Sequence, residues 1–127
     1  MRGRGHADGG SVSIVAAALM SLALVLAMGA ADLARVLTSA ARAQTAADVA
    51  ALAAAQELAA PSDLGLSPTE IAASYATRND ATLTACACDP GGSEAMVTVR
   101  VTVGPLLFAP DDRVVTARAR VMIEVPA

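Results

Sequence analysis

The chain has 127 residues and a formal charge of −3, with twelve Asp plus Glu set against nine basic residues, all of them Arg. Without a basic stripe to follow a phosphate backbone, and with one Tyr, one Phe and no Trp to stack on bases, no nucleic acid is expected as a partner. The length leaves room for one modest domain once the apolar N-terminal stretch is set aside.

Residues 1–10 read as a short cytoplasmic tail or leader, with Arg2 and Arg4 against Asp8. Residues 11–31, SVSIVAAALMSLALVLAMGAA, carry no charge. As a helix rising about 1.5 Å per residue they span roughly 30 Å, the thickness of a hydrocarbon core, so the sequence predicts a transmembrane helix there. The basic flank precedes the helix and Asp32 follows it, which keeps the N-terminus in the cytoplasm and exports the rest. The expectation is a single pass through the inner, cytoplasmic membrane with an extracytoplasmic C-terminal domain, and membrane lipid as a partner. Ala27-Met28-Gly29 also fits a small-x-small cleavage pattern. The alternative is therefore a soluble binding module released by signal peptidase after Gly29. Against it, the apolar run exceeds the roughly 7–15 residues of a signal core, and the helical pattern continues past it. A buried core helix would need a partner surface that so short a chain does not easily supply.

From residue 11 to 60 there is no Pro and Gly29 is the only Gly, so one helix is predicted to run out of the membrane to Pro61. Its exported part, 32–60, has Ala43, Ala47, Ala51, Ala55 and Ala59 at a strict four-residue spacing, with Ala46, Ala50 and Ala54 as a second row. Small residues so spaced form a helix-packing face. Two uses of it stay open: folding onto the chain's own sheet, or packing against identical subunits. Asp32 and Arg35, three apart, read as a surface pair or as anchors at the membrane boundary.

Residues 61–127 are expected to form a small extracytoplasmic α+β domain. Ser67-Pro68-Thr69-Glu70 is a capping box opening a short helix to about Arg78, and Asn79-Asp80 closes it. The period then changes to two. Strands are predicted over 82–88, 95–103 and 113–125, with Val97, Val99, Val101 and Val103 on one face of the second. Val115, Ala117, Ala119, Val121, Ile123 and Val125 share one face of the third. Asp89-Pro90-Gly91-Gly92-Ser93 is turn chemistry. Loop 104–112 places Leu106, Leu107 and Phe108 between two prolines, an apolar tip expected to fold under the sheet, with a contact patch as the other reading. The predicted fold class is α+β: a long N-terminal transmembrane helix continuing as an Ala-rich stalk, a short second helix, then a three-stranded antiparallel sheet.

Catalytic chemistry is not in view. The only histidine, His6, lies in the tail, so neither a Ser-His-Asp arrangement nor a His-containing metal site is expected outside the membrane. Asp111-Asp112 follow Pro110 as turn formers, and the glycines at 3, 5, 9 and 10 make no phosphate loop, having no strand before them and no Lys after. Cys86 and Cys88 are too few and too close for a paired-CxxC zinc site. On a regular strand their Cα atoms sit about 6.5–7 Å apart, at the edge of disulfide geometry. A local bridge is favoured slightly over free or intersubunit thiols. No cofactor, metal or catalytic residue is expected, and the chain reads as a structural protein.

The stretch GSVSIVAAALMSLALVLAMGAADLARVLTSAARAQTAADVAALAAA resembles the N-terminal region of TadE/TadG-like proteins of Flp pilus loci. The telling pieces are Gly9-Gly10-Ser11, Gly29-Ala30-Ala31-Asp32-Leu33, and Ala43-Gln44-Thr45-Ala46-Ala47-Asp48 leading into Ala50-Ala51-Leu52-Ala53. The resemblance implies a pilin-like helix in the membrane, an exported domain, and association with other subunits of a type IV-related pilus or secretion apparatus, self-association included. The chain departs from pilins cut by prepilin peptidase, which carry Glu at the fifth mature position: a leader cut between Gly10 and Ser11 would put Val15 there. Relatives of the TadG type that stay anchored fit this departure better.

Overall fold

The computed structural model describes residues 7–124. Arg2, Arg4, His6 and Val125, which entered the reading above, lie outside the described residues.

Helix α1 (Ala7–Ala59) is unbroken. The helix ends as the sequence requires, with the Ala60 N–H still donating to the Gln56 carbonyl before Pro61. The chain then reverses, and the Glu57 carboxylate holds the reversal by accepting from the Ser62 N–H at 2.7 Å and the Ser62 hydroxyl at 3.0 Å.

Helix α2 (Pro68–Arg78) opens with the complete reciprocal cap: Ser67 Oγ accepts from the Glu70 N–H, and the Glu70 carboxylate accepts from the Ser67 N–H, with Pro68 in the first turn. Its far end is a Schellman closure, in which the Ala81 N–H reaches back to the Ala76 carbonyl and the Asp80 N–H to that of Thr77. Asp80 takes the left-handed position of that closure, at φ 56°.

Strands β1 (Thr82–Ala87), β2 (Glu94–Val103) and β3 (Arg113–Met122) form one antiparallel sheet in the order β1-β2-β3. The register between β1 and β2 shifts at Thr84, a bulge whose hydroxyl donates to the Thr98 carbonyl. The β1–β2 turn needs its glycines. Gly91 has φ +82°, and a Cβ at Gly92 would lie 2.9 Å from the Asp89 oxygen that accepts the Gly92 N–H. Past the end of β3 the Ile123 N–H still donates to the Ser93 carbonyl at 2.7 Å.

The fold class is therefore the expected α+β. The inner sheet face, Ala95, Val97, Val99, Val101, Ala117 and Ala119, lies on the C-terminal half of α1, while Ala72 and Ala76 bring α2 against the same helix. The outer face carries Arg100, Arg118 and Arg120 in water, with Arg120 paired to Glu94. At the β3 edge, the Gln44 amide donates to the Arg118 carbonyl at 3.3 Å.

Candidate functional site

One helix presents two different surfaces in succession. In its first half, Val12, Ile14, Val15, Leu19, Met20, Leu22, Leu24, Val25 and Leu26 are all exposed, and the helix is long and apolar enough to cross a membrane. The Ser21 hydroxyl in this half donates to the Ala17 carbonyl at 2.9 Å, so it asks nothing of the solvent around the helix. Gly10 and Ser11 sit exposed near the start of α1.

In the second half the surface reverses. Ala43, Ala46, Ala47, Ala50, Ala51 and Ala54 are fully buried and Ala55 nearly so, beneath Val97, Val99 and the α2 alanines. The four-residue row thus lies against the chain's own sheet and second helix, because methyl-sized side chains let the helix approach the pleated face closely. Ala59 is exposed and outside this contact, since the helix runs past the last turn that the sheet covers. The C-terminal half of α1 is the backing of the domain and no free stalk.

Between the two halves lies a junction built by Asp32. This residue is 8% exposed, and its carboxylate accepts from the Leu107 N–H at 2.8 Å and the Phe108 N–H at 2.9 Å. Arg35, one turn on, donates from Nη1 to the Pro105 carbonyl at 3.3 Å. The Leu107 N–H bond chiefly, with the Phe108 N–H and the Arg35 charge, holds the Asp32 carboxyl below its ordinary pKa against the opposing effect of burial. Asp32 and Arg35, which the spacing allowed as a surface pair or as separate anchors, instead each contact one loop. That loop does not fold under the sheet, as the sequence suggested. Its backbone is latched to α1 through Asp32, and Leu107 and Phe108 stay exposed.

Cys86 and Cys88 are bonded to each other with Cα atoms 5.4 Å apart. The regular-strand distance does not apply, because β1 ends at Ala87 and Cys88 already belongs to the turn. Asp111 and Asp112 are exposed loop residues. Among the described residues no group of His, Cys, Asp or Glu has the arrangement of a metal site. An open groove of about 410 Å³ between α1 and α2 is lined by Glu57, Leu64, Leu66, Tyr75 and Arg78, but its carboxylate is already engaged by Ser62. The geometry offers surfaces and a junction, with no assembled acid, base and nucleophile.

The family model for Flp pilus-assembly TadE/G-like proteins, Tad, matches residues 10–57. The chain carries a TadE/G-like segment. It begins where the apolar half of α1 begins, runs through the junction and the Ala row, and stops at Glu57, before α2 and the sheet. The resemblance read from the residues is thus matched over the helix. No curated protein and no solved structure matches the chain. The TadE/G-like segment supports a role in pilus assembly and, with an exposed apolar helix, a structural part played from a membrane.

Asp32 is the residue that sequence reasoning missed. Its partners are 75 and 76 positions away, beyond any local pattern. The available signal was indirect: an acid directly after an uncharged span, and an apolar triplet fenced by prolines that needed an acceptor for its N–H groups.

Proposed function

We propose that this chain is an anchoring or pilin-like component of a Flp, type IV-related, pilus or secretion apparatus. The TadE/G-like helix crosses the inner membrane once, with the N-terminus in the cytoplasm and the α+β body outside. It works by packing and assembly: α1 holds the body at a fixed height above the membrane, where other subunits of the apparatus meet it. The observation that carries this reading is the continuity of α1, whose matched segment includes both the exposed apolar half and the half that backs the sheet.

Intact mass and fractionation of the natively expressed protein test it. A membrane-bound chain starting at Met1 or Ser11 is the expected result, and a start at Ser11 would show leader removal without the usual Glu. A soluble chain starting at Ala30 would overturn the anchor and put the secreted module in its place.

A further inference from the structure

We propose that the β2–β3 loop is a second membrane contact, with Leu107 and Phe108 lying in the lipid interface beside the point where α1 leaves the bilayer; this rests on the membrane-anchored reading above. Three observations lead there.

The first is position. Phe108 stands over Gly29, with its ring edge 4.0 Å from where a Cβ would be on that glycine, and Gly29 belongs to the uncharged 11–31 segment. Gly29 is also the one residue of that segment that is not fully exposed. The exposed apolar surface of the helix therefore continues onto the loop without a polar break, and a bilayer that reaches Gly29 reaches Phe108 as well.

The second is the way the loop treats its backbone. Irregular chain is tolerated at membrane depth only where its polar groups are satisfied by protein. Pro105 has no N–H, and the Leu106 N–H donates to the Ala109 carbonyl at 3.1 Å. The Leu107 and Phe108 N–H groups donate to Asp32, and the Pro105 carbonyl accepts from Arg35. Every N–H from Leu106 to Phe108 is thus held by protein, and the Leu106, Leu107 and Phe108 carbonyls, which have no partner among the described residues, require the hydrated headgroup level and not the hydrocarbon.

The third is the side chains. Leu107 and Phe108 are 55% and 59% exposed in a chain with no other Phe. An adjacent pair of large apolar residues at a loop tip, with Arg35 at its base, matches the layering of an interface, where apolar groups sit inward and a cation sits at the headgroups. Asp111 and Asp112, both exposed, end the apolar stretch and limit how deep the tip goes. A second contact beside the helix exit would fix the rotation and tilt of the body, which a single helix leaves free.

The chain has no Trp, so single substitutions give clean probes. Phe108→Trp, Val25→Trp and Met96→Trp would each be made in the full-length protein and reconstituted in vesicles of phosphatidylethanolamine and phosphatidylglycerol. Emission would be compared with and without lipid brominated near the headgroup or deep in the acyl chain. The expected result is that the Phe108→Trp indole emits at shorter wavelength than the Met96→Trp indole and loses most of its emission to the shallow bromine. The Val25→Trp indole should lose its emission to the deep bromine. Adding Asp32→Asn should relieve quenching at position 108 and leave that at position 25. If position 25 is quenched while position 108 behaves like position 96, the loop proposal is wrong and the anchor stands. Failure of quenching at position 25 would remove the anchor and the loop proposal together. A blue-shifted but unquenched indole at position 108 that turns red on dilution among vesicles would mean that a second protein molecule, and no lipid, covers the tip.

Discussion

At the scale of single residues, the sheet-to-helix junction hangs on one carboxylate. A carboxylate offers acceptors to both the Leu107 and Phe108 N–H groups, whereas Asn has one carbonyl oxygen and would aim an amide N–H at the second donor. Asp32→Asn should therefore raise amide exchange at Leu107 or Phe108 and leave Val97 and Val99 protected; equal loss in the sheet would mean that Asp32 supports the whole fold. The same bonds set a pH dependence. Because the folded Asp32 carboxyl titrates below its ordinary value, the stabilisation is complete above the unfolded pKa and is lost as pH falls through the lower folded one. Loop protection, corrected for intrinsic rates, should persist at neutral pH and fade only below about pH 4; fading near neutrality would point to a different group. Local chemistry of this kind is legible only when its partners are close. The Ser67–Glu70 box could be read from four letters because the partners are three residues apart, whereas Asp32 looked like half of a pair with Arg35 because the loop it serves is far along the chain.

At the scale of elements, the periods were legible and their ends were not. The valines at 97, 99, 101 and 103 alternate on β2 as written because a strand buried on one face has no freedom in which side it presents. Cys88 and Ala59 departed from their patterns for a shared reason: each stands where its element stops, and the stopping point is set by the next turn or by the reach of a neighbour. The Ala row left two readings open in sequence, and the structure fills it with the chain's own sheet. Ala47→Leu should then cost about 1–3 kcal/mol by overpacking, read as a lower unfolding midpoint in detergent. That loss should not change with protein concentration, as it would at a subunit interface. Leu52→Ala, on the half-exposed side of the same helix, should stay within about 0.5 kcal/mol. The Cys86–Cys88 bridge belongs to this scale too. It closes so short a loop that the chain-entropy gain is only about 1–2 kcal/mol. The double Cys→Ser variant should fold with a slightly lower midpoint, and failure to fold would show that the bridge does more than pin the end of β1.

At the scale of the whole molecule, α1 is tied to the body at three heights: Asp32 and Arg35 to the β2–β3 loop, Gln44 to the edge of β3, and Glu57 to the chain reversal before α2. The body is thus a continuation of the helix with no linker between them, so a displacement of the apolar half is passed to the sheet. The converse does not hold. Residues 9–28 are exposed and Gly29 meets Phe108, while the buried alanines that organise the body begin at Ala43. Removal of residues 1–29 should therefore leave the Ala row, the Asp32 latch, both caps of α2 and the sheet in place. The truncated chain should show a cooperative thermal transition by far-UV circular dichroism and keep protection at Val97 and Val99. Loss of that transition would mean that the apolar half supports the fold as well as placing it, and the helix would then have to be treated as one cooperative unit. Retention would show that anchor and body can change separately, which fits a family match that covers the helix and ends before the sheet.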